Sequence, residues 1–283
     1  MSQINAYYIQ IICLIGINII MAVSLNLING ITGQFSLGHA GFMAIGAYTS
    51  AAITVYGHDR FAFLPENIFF ILALLIGGIF SALAGLLVGI PTLRLRGDYL
   101  AIATLGFGEI IRVIILNLDF VGGARGFGGI PEYANFFWIY LLAMLTVIVI
   151  ANLVRSIKGK ALLAIREDEI AAESIGINTS QYKIIAFTVG SFFAGIGGGL
   201  FAHLNTYLHT NSFTFLKSIE FIVMIVLGGL GSLTGSIFAA AVLTLLPELL
   251  RGIGEWRMIV YSLLLILMMI LRPQGILGNK KWK

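Results

Sequence analysis

The sequence predicts an all-α, polytopic transmembrane helix bundle of about eight to ten membrane segments, some of them broken or re-entrant. Three observations carry this. Hydrophobic residues make up 59% of the 283-residue chain and charged residues only 11%, against about 25% charged in soluble domains. Mean hydropathy is +0.98. Apolar runs long enough to cross a hydrocarbon core, about 20 residues each, recur from the first residues to Leu271. A chain this poor in charge cannot cover itself with water-facing groups, so the bilayer is its solvent and residues 1–283 read as a single transmembrane domain.

The expected segments lie at about 4–28, 36–56, 68–90, 99–118, 135–154, 183–208, 218–230, 234–250 and 257–271. The first has no Lys or Arg before it and no small-residue cleavage site after it, so it reads as a retained helix and not a signal peptide. Cys13, the single cysteine, lies inside it, which excludes an intrachain disulfide and a cysteine-based metal site; no metal site is expected. The net charge of +4 comes without a basic stripe interleaved with aromatics, so no nucleic-acid partner is expected.

Lys and Arg sort the loops. Arg94 and Arg96 lie in one, Arg155, Lys158, Lys160, Arg166 and Lys183 in a second, and Arg272, Lys280, Lys281 and Lys283 at the end. The positive-inside rule makes all three cytoplasmic. Counting back from Arg94 puts the N-terminus outside, unless a re-entrant stretch near Gly30–Gly38 reverses it.

Most of the 34 glycines, such as Gly38, Gly41 and Gly46 or Gly195 and Gly199, stand at spacings that serve close helix packing in lipid. Two glycine-rich strings instead interrupt the helical pattern at membrane depth: LNLINGITGQFSLGHAGFMAIGAY and LGGLGSLTG. Non-helical backbone there must be buried in protein or line a wet cavity, and paired broken segments point to a translocation path. Candidate path residues are Asn29, Gln34, Ser36 and His39 in the first string and Gly228, Gly229 and Ser232 in the second. Interhelical hydrogen bonding explains the same polar groups equally well. Ser36 and His39 also sit one helical turn apart, which admits a hydrolase reading, although no acid stands nearby to orient the base.

Glu109 and Arg112 share one face of the fourth segment at a spacing of three and are expected to form an intramembrane ion pair. The longest polar stretch, at about 155–182, carries nine charged residues between Arg155 and Lys183. Its middle, Ala164 to Ile175, is expected to be one helix ended by Gly176 in the αL conformation. Ala161, Ile165 and Ala172, or Ile165, Ala172 and Ile175, form a small apolar stripe on it. The cluster Glu167-Asp168-Glu169 would be repelled by anionic headgroups, so the stripe suits docking onto a protein better than lying on lipid.

Four strings in the chain, the first glycine-rich one together with LRLRGDYLAIATLGFGEIIR, GKALLAIREDEIAAESIGIN and VLGGLGSLTGSIFAA, resemble in sequence and order those of the branched-chain amino acid ABC transporter permeases of the LivM type. The resemblance runs from about Leu25 to Pro273. It implies a pore-forming subunit of the inner membrane, paired with a homologous second permease, fed by a periplasmic substrate-binding protein and driven by two ATPase subunits beneath. It also implies that residues 155–182 are the coupling loop, with Ala164, Arg166, Glu167, Asp168, Glu169, Ala171, Ala172 and Gly176 as the ATPase-coupling residues. Importers in general carry EAA-x-x-x-G there; Ala171, Ala172 and Gly176 match, but Ile170 occupies the glutamate position. The chain holds no G-x-x-x-x-G-K-[ST] string, so no cofactor is expected on it and ATP and Mg belong to the partner subunits. A permease for urea or short amides, or an ion-coupled secondary carrier, remains an alternative from the same residues.

Overall fold

The computed structural model describes residues 2–58, 65–92 and 97–250, together with Leu263, Ile266 and Gly275. Arg94, Arg96, Arg272 and the C-terminal lysines lie outside the described residues, as does the ninth expected segment apart from Leu263 and Ile266. Among the described residues ten α-helices are delimited in order: α1 Ser2–Asn26, continued by a π turn at Leu27–Ile31, α2 His39–Gly57, α3 Glu66–Thr92, α4 Asp98–Leu116, α5 Phe136–Arg155, α6 Ile157–Glu167, α7 Glu169–Ser174, α8 Thr179–Asn205, α9 Phe215–Gly228 and α10 Leu233–Leu249. Six of the segments are long and apolar enough to span a membrane. Helix α2 has the length but dilutes its apolar residues with Gly, Ser and Thr, and α10 is short.

Contacts fix the direction of each helix. On α2 and α8, Gly46 meets Gly195 and Thr54 meets His203, so the two run parallel. Met21 lies against Gly197 and Ile28 against Gly190, so α1 runs against α8. Thr104 and Gly108 of α4 follow Gly38 and Gly41 of α2 in the same sense. Hence α1, α3, α5 and α9 lead toward the end of the bundle that carries Arg166, and α2, α4, α8 and α10 lead away from it. The interruption after α1 turns the chain back without adding a crossing.

Helices α1, α2 and α8 form the buried centre. Close approach explains the glycines between them, because a Cβ on Gly46 would overlap the Gly195 backbone and one on Gly198 would overlap the Met43 carbonyl. Ser81 of α3 ties the layer together by reaching the Phe42 carbonyl at 2.9 Å and the Ser191 carbonyl at 2.7 Å. Helices α3, α4 and α5 sit outside this centre and expose isoleucine, leucine and phenylalanine, which suits a lipid surround. The far end is closed by an antiparallel bridge in which Phe127 and Leu208 exchange two 2.8 Å hydrogen bonds, and by Tyr56 stacked on Phe120.

Candidate functional site

The first interruption begins where α1 loosens into its π turn. Thr32 donates twice to the Leu27 carbonyl, from its amide at 3.2 Å and its hydroxyl at 2.8 Å, and the Gln34 amide closes on Ile28. Asn29 then clamps the returning strand, donating from Nδ2 to the Ser36 carbonyl and accepting the Ser36 amide at Oδ1, both at 3.2 Å. Gly33, at φ +73°, makes the turn possible. Asn29, Gln34, Ser36 and His39 are all buried. Among the described residues, both polar atoms of the Gln34 amide, Ser36 Oγ, Asn26 Nδ2 and His39 Nδ1 have no hydrogen-bond partner. The Ser36–His39 pair that a hydrolase needs is not formed: His39 Nε2 lies 2.9 Å from Ser24 Oγ instead.

The second interruption uses backbone rather than side chains. Gly229 caps α9 by donating to Ile225 and Val226, then Gly229 and Gly231 turn the chain at φ +103° and +85°. Ser232 starts α10 by accepting the Gly235 amide at Oγ. Thus Gly228, Gly229 and Ser232 sit at the helix ends, and Leu230 between them faces outward.

The two interruptions meet. Asn26 Oδ1 accepts the Gly231 amide at 2.9 Å, and Gly30 approaches so closely that a Cβ there would overlap both Asn26 Oδ1 and the Gly231 nitrogen. Arg166 lies against this junction from the loop side. Its Nη1 donates to the Gly30 carbonyl at 3.1 Å, its Cγ passes where a Cβ on Gly33 would be, and Nη1 stands 2.7 Å from where one on Gly231 would be. A cation on a carbonyl at the end of α1 is favourably placed with respect to the helix dipole. Glu167 steadies the guanidinium through Nη2 at 2.5 Å.

The loop itself departs from the single expected helix. Asp168 is extended, at φ −157° and ψ 110°, and ends α6. Its Oδ1 then caps α7 by accepting the Ile170 and Ala171 amides at 2.9 and 3.0 Å. Aspartate competes well for free amides at a helix start, and this outweighs its modest cost as a helix interior residue. Gly176 has the expected left-handed φ, +87°. The stripe of Ala161, Ile165 and Ala172 is buried against the chain's own bundle, so it is not an open docking face; the large apolar side chains exposed on the loop are Ile157, Ile170 and Ile175. Of the predicted coupling residues, Glu167 and Ala171 are exposed, Ala164 is half-buried, and Glu169 turns inward to Lys183 at 2.6 Å.

Lys183 and Gly231 are the members of this arrangement that the sequence does not single out, whereas Asn26 stands among the polar residues of the first glycine-rich string. Lys183 reads as one more basic loop residue, yet it is buried beside Glu169. Glu109 and Arg112 do pair, at 2.7 Å, and both side chains are half-buried on α4. No group of three or more His, Cys, Asp or Glu able to hold a metal occurs among the described residues.

These features define a class: a polytopic membrane helix bundle in which two interrupted helices are joined at one end and held there by a charged loop. The family model for the permease component of branched-chain amino acid transport systems matches residues 7–271, and the chain belongs to that family. It is 39% identical to the high-affinity branched-chain amino acid transport system permease protein LivM of Salmonella typhimurium, over 95% of this chain and 68% of that protein. Against the LivM protein of Escherichia coli K12 it is 40% identical over 95% and 69%. The permease protein LivH of Salmonella typhimurium matches at 26% identity over 92% of this chain and 91% of its own length. No solved structure matches the chain.

Proposed function

We propose that this chain is the pore-forming permease subunit of an ATP-binding-cassette importer that moves branched-chain amino acids across the inner membrane. A homologous second permease completes the pore, a periplasmic protein delivers the solute, and two ATPase subunits bind ATP and Mg and dock on the α6–α7 loop. The relatives' names support the solute, and the match to both LivM and LivH supports a pair of related permeases. With the basic loop inside, the alternation of helix directions starts α1 on the outer side.

The observation that carries the mechanism is the contact of Arg166 with Gly30. The outer side of the loop exposes Ile157, Ile170 and Ile175 to a partner, while Arg166 grips the point where both interrupted helices meet. A push on the loop is therefore delivered to two helix ends at once, through a charge-assisted hydrogen bond of the stronger kind. An element with two arrangements biased by a partner is what alternating access requires.

The test is reconstitution of the chain with its partner permease and ATPases in proteoliposomes, with radiolabelled leucine. Reversing the charges at Arg166 and Asp168 is expected to lower ATP-dependent uptake about tenfold or more, the scale of an uncompensated charge contact. Unchanged complex assembly and unchanged uptake in that variant sink the coupling role. Uptake of urea in place of leucine replaces the solute, and uptake driven by an ion gradient without ATPases replaces the class.

A further inference from the structure

Two partly exposed ion pairs stand at matching depth on α4 and α9. On α4, Arg112 Nε lies 2.7 Å from Glu109 Oε2; on α9, Lys217 Nζ lies 2.8 Å from Glu220 Oε2. Their side chains remain 24% and 35% exposed in the first pair and 25% and 39% exposed in the second. Helix α4 starts at the Arg166 end and α9 finishes there. At 1.5 Å per residue, Glu109 is about 16 Å from Asp98, and Lys217 is about 16 Å from Gly228. A hydrocarbon core is about 30 Å thick, so both pairs sit near its middle.

The two helices come together at this level. A small cleft between them is lined by Gly108, Glu109, Thr214 and Ser218. Ser218 is buried and accepts the Ala40 amide at 3.0 Å, which fixes the register of α9 against the start of α2. Lys217 Nζ also lies 5.2 Å from the centre of the Phe221 ring.

Four charged side chains between 24% and 39% exposed do not face acyl chains at mid-depth, where intramembrane charges line wet cavities or pair inside the bundle. The remaining surface of α4 behaves differently. Ile110 and Ile114 are apolar and exposed there and suit lipid.

We infer that the α4–α9 face lines an aqueous part of the translocation path and recognises a zwitterionic α-amino acid. Arg112 and Lys217 receive the solute carboxylate, Glu109 and Glu220 its ammonium group. In the absence of solute each cation is neutralised by its own neighbour three residues away, so the path carries no net charge. A zwitterion replaces those partners in kind, and a simple ion or a neutral amide does not. This rests on the amino-acid importer reading above.

The experiment uses the same reconstituted complex, in a Cys13→Ala background, with leucine as the solute. Leu216→Cys lies four residues from Glu220 on the charged face, and Ile114→Cys lies on the apolar side of α4. A membrane-impermeant methanethiosulfonate is expected to label Leu216→Cys at least about tenfold faster than Ile114→Cys, since thiolate chemistry needs water access, and leucine is expected to slow that labelling. Arg112→Gln and Lys217→Gln are each expected to raise the KM for leucine about tenfold with a smaller change in maximal rate, as for lost ground-state binding, and Arg112→Lys and Lys217→Arg to recover most of it. Equal, slow labelling at both cysteines overturns the aqueous face and makes it a dry contact with lipid or with the partner permease. Variants that lose assembly without a KM shift make the pairs structural and overturn the recognition. Fast labelling of Leu216→Cys in a complex that transports no amino acid overturns the zwitterion assignment and the importer reading together, whereas leucine uptake with slow labelling overturns this inference alone.

Discussion

The interruption at 27–38 is held by side chains, whereas the one at 228–232 is held by backbone. In the first, Asn29 spans the gap with two hydrogen bonds to Ser36, and Thr32 doubles back onto Leu27. In the second, two left-handed glycines make the turn and one serine cap starts the next helix. The first keeps buried, unpartnered polar atoms at Gln34, Ser36 and Asn26 while exposing Phe35; the second exposes Leu230. The difference teaches that the two fail in opposite ways. Removing a side chain opens the first, and adding one disrupts the second or the contact between them.

The sharpest way to break this comparison is at the contact itself. Gly30→Ala sets a methyl group against Asn26 and the Gly231 backbone, and overpacking against backbone costs about 3 kcal/mol. We expect a clear drop in thermal midpoint in detergent and loss of ATP-dependent uptake; a midpoint equal to wild type contradicts the close approach. Next in size is Asn29→Ala. It deletes both hydrogen bonds to Ser36 and strands a buried amide, a loss of about 2 kcal/mol. Thermal unfolding followed by the fluorescence of a thiol-reactive dye on Cys13, which is buried in α1, reads it directly. The smallest effect is expected from Ser232→Ala, about 1 kcal/mol for a lost helix cap. If Ser232→Ala proves as damaging as Asn29→Ala, the second interruption also depends on its side chains and the contrast fails.

Much of the bundle is legible from the sequence. The expected segments at 68–90, 99–118 and 135–154 fall on Glu66–Thr92, Asp98–Leu116 and Phe136–Arg155 within a few residues. Each is an apolar run whose ends are marked by charge or by a cap such as Asn135, which accepts the Trp138 amide. Helix α8 starts earlier than its apolar run, at Thr179, because Asn178 caps it and because Lys183 is neutralised by Glu169. The start was hidden because a lysine reads as the edge of a membrane segment unless its partner is known. Asp168 shows the opposite problem. Its capping signal is local and present in the string, but the helix-forming residues on both sides outweigh it until the backbone is seen to break.

The functional arrangement divides in the same way. Both glycine-rich interruptions and the polar loop stand out in the sequence, and so does the Glu109–Arg112 pair at its helical spacing. Nothing in the chain's linear order connects Arg166 to Gly30, or Asn26 to Gly231, since those partners are 136 and 205 residues apart. Local sequence suffices to say which stretches become membrane helices and where they must break. Apolar length and backbone hydrogen bonding in lipid are requirements that each segment meets locally. That the two breaks touch, that Arg166 reaches inward to hold them while Ile170 faces out, and that α4 meets α9 beside Glu109 are settled only by the tertiary packing. Those outcomes depend on how closely distant helices approach, and the side chains that glycines leave out set that distance.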